Sequence, residues 1–308
     1  MKRVKASVSI GILIFIVCIS VLMISLINKI SVNRSNNQNY VKDRQDYYYK
    51  SSIFYHLVYD NLDSIKDAYL NDKKIDIKPN YSLPNTDIKK INFNKLRGYL
   101  QIQITGKDNS RIGYGTVQIL NDIFYLNEPV LDFSSNIEKQ EVINKFINKT
   151  DFNSINSNKI ENLNLEGQNF LFEKINNKNI IVDLDTNKEI AFDQFKYVMI
   201  NFSNTNVNLK IKSDASVRFN GLLLISGNLS IDSPLTINGI IIQNNGKFEA
   251  NSNVNLNGMI ITNNIISKKK INAKWDKIIF TLAQRIPEFY DLKIIEFHRS
   301  GNMKRVLN

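Results

Sequence analysis

The chain has 308 residues, of which 43% are hydrophobic and 22% charged, and its formal net charge is +11. This length suffices for a sizeable core in one to three domains. With one Cys and two His in the sequence, a disulfide framework, a zinc cluster of ordinary spacing and a Cys/His nucleophile pair outside the first segment are excluded. We therefore expect a protein without a cofactor or metal that is not an enzyme.

An uncharged apolar segment without Pro runs from Val8 to Ile27. As a helix it would be about 30 Å long, the thickness of a bilayer core. No small-residue cleavage motif follows it, so the segment predicts an uncleaved anchor and not a cleaved signal peptide. The positions assigned to this transmembrane helix include Val8, Gly11, Ile12, Ile16, Cys18 and Ile27, with Cys18 as a small apolar helix residue.

The charges beside this segment predict its orientation. Lys2, Arg3 and Lys5 precede it, whereas Lys29 and Arg34 follow more sparsely. The positive-inside rule then predicts a single-pass protein of the cell membrane, with a cytoplasmic N-terminus and an extracellular bulk. Four of the net positive charges belong to the first thirty residues, and the remaining +7 suits contact with lipid headgroups or an anionic cell-wall polymer.

A second helix is predicted between Tyr40 and Leu70, where apolar residues recur at steps of three and four. The resulting stripe consists of Phe54, Leu57, Val58, Leu62, Ile65 and Tyr69. The run Tyr47–Tyr49 is either a membrane-interface or partner surface or, as we prefer, packs against the following domain. His56 has no second ligand nearby in sequence, so we expect a structural role for it.

The middle of the chain shows short alternating segments typical of strands. The predicted strands are Tyr99–Thr105, Tyr114–Leu120, Ile123–Leu126, Asn169–Glu173, Asn179–Leu184 and Glu189–Phe192, and Glu138–Ile147 is the predicted helix. Asp183, Asp185 and Asn187 resemble the opening of a calcium loop. However, Lys188 and Gln194 occupy the positions where such a loop requires Gly and Glu. We therefore interpret Asp185–Lys188 as a hairpin turn.

A repeat occupies the region from Val207 to Ile266. Its three copies begin with alternating residues, reach an Asn-Gly pair and continue with three apolar residues. The pairs, interpreted as solenoid corners, are Asn220-Gly221, Asn238-Gly239 and Asn257-Gly258, at spacings of 18 and 19 residues. Asn and Gly tolerate the positive φ that corners require.

This period favours a β-solenoid whose coils stack through parallel ladders, with hydrogen-bonded Asn side chains along the stack. The alternative is an antiparallel meander, because Asn-Gly is also the strongest two-residue hairpin signal. Three coils are close to the minimum for stability, so both ends require caps. The predicted helix Trp275–Arg285 and strand Asp291–Phe297 would supply one cap.

Basic residues surround the single Trp near the end of the repeat. This candidate anion-binding patch comprises Lys268, Lys269, Lys270, Lys274, Trp275 and Lys277. Such a patch is able to hold phosphates or cell-wall anions. The alternative, a solvated basic face, is the interpretation we prefer because Lys clusters are common on surfaces.

Together these patterns predict a mainly β protein with an N-terminal transmembrane helix that continues into an amphipathic stalk helix. A small α+β middle domain and a short parallel β-solenoid with a C-terminal helix–strand cap follow. The predicted boundaries are 1–30 for the cytoplasmic tip and transmembrane helix, 31–72 for the stalk, 86–203 for the middle domain, 204–267 for the solenoid and 268–308 for the cap.

The order of basic tip, hydrophobic helix, stalk and globular part resembles type IV pilin-like membrane proteins, specifically PilX-type pilus assembly proteins of clostridial-like Gram-positive bacteria. Three stretches carry the resemblance, namely 2–70, 219–261 and 282–297. Prepilins usually carry a Gly before the apolar run and a Glu at the fifth position after cleavage. Here Gly11 is followed by Ile16 at that position. The resemblance implies assembly at the cell surface with other pilin-like proteins, through the N-terminal helix.

The leading hypothesis is therefore a non-enzymatic, minor pilin-like or type IV pilus assembly component. Three alternatives stay open: a membrane-anchored adhesin or cell-wall-binding module outside any filament, an anchored polysaccharide-active enzyme, and a cytoplasmic self-polymerising scaffold. The enzyme class requires convergent carboxylates, whereas Asp214, Asp232 and Glu249 are not at equivalent repeat positions. We expect membrane lipid as a partner, and neither a small-molecule substrate nor nucleic acid.

Overall fold

The computed structural model describes residues 2–77, 88–106, 112–132, 140–150, 155, 157, 159–176, 178–262, 265–266 and 270–299. Its α-helices are α1 (Lys2–Tyr59), α2 (Leu62–Leu70), α3 (Gln140–Lys149) and α4 (Ile278–Ala283). The first nine strands are β1 (Ile88–Leu96), β2 (Tyr99–Gly106), β3 (Ile112–Leu120), β4 (Val130–Asp132), β5 (Glu161–Leu165), β6 (Asn169–Ile175), β7 (Lys178–Asp183), β8 (Lys188–Phe192) and β9 (Val198–Phe202). The others are β10 (Val207–Ile211), β11 (Val217–Ile231), β12 (Leu235–Asn244), β13 (Phe248–Ala250), β14 (Val254–Thr262), β15 (Ile265–Ile266), β16 (Ile271–Lys274) and β17 (Tyr290–Arg299).

The N-terminal helix α1 has 58 residues and is unbroken through the polar stretch 31–39. Among the described helices, α1 is the one that is long and apolar enough to cross a membrane. Its most apolar 18-residue window has a mean hydropathy of 2.5, and none of that window is buried. The helix ends at the turn formed by Asp60 and Asn61, after which α2 begins, so the helix predicted without a break over Tyr40–Leu70 is divided in two. The predicted long apolar N-terminal helix is confirmed.

A four-stranded antiparallel sheet in the order β1-β2-β3-β17 supports the second half of α1. The chain reaches β1, β2 and β3 consecutively, whereas β17 returns from the C-terminus to pair with β3. The strand expected to cap the solenoid therefore belongs to another sheet, which corrects that part of the predicted cap. Helix α4 contacts β12 and β14, and so lies on a side of the solenoid.

The body is mostly β and contains a β-solenoid of about four turns, which confirms the coarse architecture. The strands β11, β12 and β14 pair in parallel and in register, with Asn220 opposite Asn238 and Asn238 opposite Asn257. Parallel pairing excludes the antiparallel meander. The parallel ladders also include β10 and, outside the predicted bounds 204–267, β5, β6 and β9 before them and β16 after them.

One of the strands predicted in the middle of the chain is not a strand in the structure. Ile123–Leu126, expected to be a strand, lies largely in a 3-10 helix over Asp122–Tyr125. The side chain of Asn121 accepts a hydrogen bond from the backbone N–H of Ile123 at 3.2 Å and caps this short helix. Four apolar or aromatic residues are too few to distinguish a strand from a buried turn by periodicity.

Two hydrophobic clusters form the core. One fills the interior of the solenoid coils, with Phe219, Ile237 and Leu256 stacked at equivalent positions. The other joins α1, α2, α3, α4 and the antiparallel sheet to the outer side of the solenoid. Outward-pointing residues after each Asn-Gly pair, including Leu222, Ile240 and Met259, belong to this second cluster. The apolar runs that follow the Asn-Gly pairs are therefore buried on both faces, as is typical of covered parallel strands.

Candidate membrane helix and solenoid corners

The residues assigned to the transmembrane segment lie on the projecting part of α1. Ile12 and Ile16 are 55% and 56% exposed, and Cys18 is an exposed free thiol. Ile27 is 63% exposed, and Val8 and Gly11 lie in the same helix. A helical segment of this length, with apolar side chains exposed on all sides from Ile12 to Ile27, is typical of a segment surrounded by lipid.

The second half of α1 is packed into the body. Ile53, Phe54, Leu57 and Val58 are at most 3% exposed and belong to the cluster shared with the antiparallel sheet. Lys50 is also buried and pairs with Asp46 at 3.0 Å, one helical turn away. The N-terminal half of α1 is therefore apolar and exposed, whereas its C-terminal half is part of the core.

The run Tyr47–Tyr49 mostly packs against the body, as preferred from the sequence. The ring of Tyr47 lies 5.7 Å from that of Phe297, and its hydroxyl donates to the Phe297 carbonyl at 3.2 Å. Tyr49 packs against the core, whereas Tyr48 is 64% exposed.

Two glycines divide each of the first two coils of the repeat into three sides. Along β11, Arg218 and Asn220 before Gly221 are exposed and partly exposed, whereas Leu222 and Leu224 after it face the core shared with α4. After Gly227 the outward residue Asn228 is exposed again. Gly221 and Gly227 have φ of +135° and +146°, values that side chains rarely adopt.

The Asn residues of the corners form a hydrogen-bonded ladder along the stack. The amide of Asn257 donates to the side-chain oxygen of Asn238 at 3.0 Å, and the amide of Asn238 donates to that of Asn220 at 2.7 Å. The amide of Asn220 donates to the carbonyl of Gln194 at 2.6 Å. Each corner is therefore linked to the preceding coil by a side chain as well as by the backbone.

A second ladder, which sequence reasoning did not find, runs along another side of the solenoid. Asn228 donates to Asn208 at 2.9 Å, Asn208 donates to Asn169 at 3.1 Å, and Asn169 donates to Asp185 at 2.8 Å. The spacing of these residues is irregular because the β7–β8 hairpin is inserted between the first two coils. The register of β6 with β10 reveals them, but no constant period does.

The candidate anion-binding patch is only partly visible. Lys268 and Lys269 lie outside the described residues. Lys270 donates to the Asn251 carbonyl at 2.5 Å, and Lys274 and Lys277 are exposed. Trp275 packs edge-on against Phe280 at 5.6 Å and is partly buried against the core. Its ring therefore packs inward against the core.

The Asp183–Asn187 motif forms the tight turn between β7 and β8. The carboxylate of Asp183 accepts hydrogen bonds from the backbone N–H of Asp185 at 2.9 Å and from the hydroxyl of Thr186 at 2.8 Å. Asn187 has a φ of 55°. The hairpin interpretation is confirmed by the antiparallel pairing of Asp183 with Lys188. Within the described part of the chain, His, Cys, Asp and Glu side chains form no group of three suited to a metal ion.

The comparisons with known proteins add no relative: no family model, curated protein or solved structure matches this chain.

Proposed function

We propose that this chain is a non-enzymatic, single-pass membrane protein of the cell surface that acts as a minor pilin-like or type IV pilus assembly component. The observation that carries the proposal is the continuity of α1. The same helix supplies an exposed apolar half at Ile12–Ile27 and, at Phe54 and Leu57, a buried half within the core.

This continuity has a mechanical consequence. From Ile27 to Asp43, where the helix first becomes partly buried, α1 projects over about 24 Å at 1.5 Å per residue. Phe54, Leu57 and Val58 hold the other end in the body. In the proposed role the apolar half lies in the bilayer or packs against the apolar helices of other pilin-like proteins. The rigid helix then sets the distance of the body from them.

The proposed orientation places the N-terminus in the cytoplasm and the β body outside. Lys2, Arg3 and Lys5 support this direction, because basic residues beside the first span are retained on the cytoplasmic side. Protease added to intact cells should then digest the body, whereas a tag placed before Lys2 should be protected. Protection of the body would contradict the orientation and favour the cytoplasmic scaffold.

The assembly role is tested by shearing filaments from cells that carry the gene. The protein should co-purify with the sheared fraction, and a deletion strain should assemble fewer filaments. Recovery with membranes alone, together with normal filaments in the deletion strain, would contradict the proposal and favour the membrane-anchored adhesin. N-terminal sequencing of the native protein adds an independent result, since a start at Ile12 indicates prepilin-type processing and an intact Met1 indicates a permanent anchor.

A further inference from the structure

A flat polar face runs along the side of the solenoid that precedes the Asn-Gly corners. Two rows of outward side chains form it, as the strand register shows. One row is Arg218, Thr236, Asn255 and Asn272, and the other is Asn220, Asn238, Asn257 and Lys274. The residues between them, such as Phe219 and Ile237, point into the coil and are buried. We call these two rows the amide face.

Two aromatic rings stand at one end of the amide face. Phe195 is 67% exposed and Tyr197 is 42% exposed, and outside α1 they are the highly exposed aromatic residues of the described chain. The segment that carries them leads directly into Val198, which pairs with Gly221. It therefore lies beside the first side of β11, and the hydrogen bond from Asn220 to the Gln194 carbonyl joins it to the Asn ladder.

The turn that presents these rings is held in place from within. The carboxylate of Asp193 accepts a hydrogen bond from the backbone N–H of Phe195 at 2.9 Å, and its carbonyl accepts one from the N–H of Lys196 at 3.3 Å. Gln194, between them, is 8% exposed. The backbone that carries the rings is thus ordered before any ligand arrives, which lowers the entropy cost of binding.

The chemistry of the amide face selects among classes of ligand. No carboxylate stands in either row, and the positive charges of the rows are those of Arg218 and Lys274 near the two ends. The turn that carries the aromatic rings adds one exposed charge of each sign, at Asp193 and Lys196. Two separated cations give a poor match to the closely spaced phosphates of a nucleic acid. A flat face of amides and one hydroxyl also lacks the apolar centre of most protein interfaces.

The amide face instead matches a chain of hydroxyl groups and apolar sugar rings. Within the ladder Asn238 uses one amide hydrogen and one oxygen lone pair, and Asn257 uses one amide hydrogen, so both side chains keep further donor and acceptor capacity. Four strand-to-strand spacings separate the turn that carries Phe195 and Tyr197 from β16, so the face is about 19 Å long. Exposed rings at one end supply surfaces on which the apolar face of a sugar stacks.

We propose that the amide face, with Phe195 and Tyr197, is a binding site for a linear, uncharged polysaccharide. The rings stack on one end of the glycan, and Thr236, Asn238 and Asn255 hydrogen-bond the hydroxyl groups of the following sugars. This surface is distinct from α1, so it adds a ligand to the ectodomain whether or not the protein enters a filament.

The test measures binding of the full chain in detergent micelles to immobilised linear polysaccharides, neutral ones such as cellulose and chitin beside acidic ones. Wild-type protein should bind a neutral polymer, and the double variant Phe195→Ala/Tyr197→Ala should bind at least about tenfold more weakly. Asn255→Ala, which changes an exposed amide of the same face, should weaken binding severalfold. Tyr48→Ala is the matched control, because it removes an equally exposed ring from α1 and should bind as wild type does.

Thermal unfolding followed by circular dichroism identifies any variant that fails to fold, and Asn255→Ala then provides the decisive comparison because its side chain is exposed. Failure of the wild-type protein to bind any neutral polymer would overturn the proposal. Binding confined to acidic polymers and abolished by salt would also overturn it, and would assign the surface to charge alone. Equal binding by wild type and both face variants would place the ligand elsewhere on the molecule.

Discussion

The ring of Phe54 on α1 lies directly over Gly115 of β3. A Cβ atom at Gly115 would stand 2.0 Å from Cε2 of Phe54, well inside van der Waals contact. The absence of a side chain at Gly115 therefore lets the helix approach the sheet closely enough for Phe54 to be fully buried. A second glycine of the same strand, Gly113, receives the ring of Phe297 in the same way.

Adding a methyl group at this contact should loosen the attachment of α1 to the body. We expect Gly115→Ala to lower the free energy of unfolding by about 1–3 kcal/mol, the usual cost of overpacking a core. Differential scanning calorimetry of the detergent-solubilised chain measures this loss. In the double variant Gly115→Ala/Phe54→Leu the smaller side chain makes room, so the two changes should cost less together than their sum; strict additivity would show that the ring contact is not responsible.

Gly258 tests the close approach of successive coils. It has a φ of +149°, and a Cβ there would lie 1.8 Å from the backbone oxygen of Gly239. Because the backbone of Gly239 in the preceding coil cannot move aside, Gly258→Ala should destabilise the protein by about 3 kcal/mol or more. Gly167→Ala is the matched control, since its nearest neighbours are side-chain atoms of Asp183 and Phe170 at 2.9 Å. Comparable melting temperatures for the two variants would contradict the stacking argument.

The Asn ladder predicts a graded response along the stack. Asn238 both donates to Asn220 and accepts from Asn257, whereas Asn257 is exposed and makes the ladder bond at 3.0 Å as donor. Asn238→Ala should therefore cost about 1–3 kcal/mol, because it leaves two amide groups without their partner, and Asn257→Ala should cost less. Urea unfolding of the two variants measures the order, and the reverse order would show that the ladder does not stabilise the coils.

A carboxylate on the solenoid should contribute pH-dependent stability. The hydrogen bond from Asn251 lowers the pKa of Asp232, and despite the opposing effect of burial, bonds from Lys210 and Ser230 lower it further. A depressed folded-state pKa stabilises the protein fully above the unfolded value of about 3.9, and this contribution is lost as pH falls through the folded-state pKa.

Asp232→Asn should therefore reduce stability by a constant amount near neutral pH, and the difference from wild type should shrink as pH falls below about 4. Thermal melts from pH 7 to pH 2 measure it. A difference for Asp232→Asn that stays constant down to pH 2 would contradict the assignment.

The proposed membrane role of α1 predicts that the effect of an added charge depends on its position. Val17→Arg places a charge near the middle of the apolar segment, where insertion costs about 2.5–3.5 kcal/mol. The fraction of protein that resists alkaline carbonate extraction of membranes should fall. Val41→Arg introduces the same charge at a residue that is 50% exposed, compared with 55% for Val17, but beyond the apolar segment. Equal extraction of the two variants would show that the segment does not lie in the bilayer.

The local patterns of the sequence predicted features whose periodicity lies within one segment. The apolar helix, the amphipathic positions of Phe54, Leu57 and Val58, the Asp185–Lys188 turn and the stacking of Asn220, Asn238 and Asn257 all follow from spacing along the chain. The period did not predict the first coils, because the β7–β8 hairpin interrupts it. The exposure of Phe195 and Tyr197 was not predicted either, since aromatic side chains are usually largely buried.

The sequence by itself thus determined the long apolar helix and the repeating coils, because both depend on residues at fixed short spacing. The tertiary structure alone decided that β17 pairs with β3, that β4 extends the ladder of β14, and that the apolar runs after the Asn-Gly pairs are covered from outside. Pairings between segments far apart in the chain depend on which sheet edges and apolar faces other elements leave available. The residue pattern within one strand therefore does not predict which distant strand it pairs with.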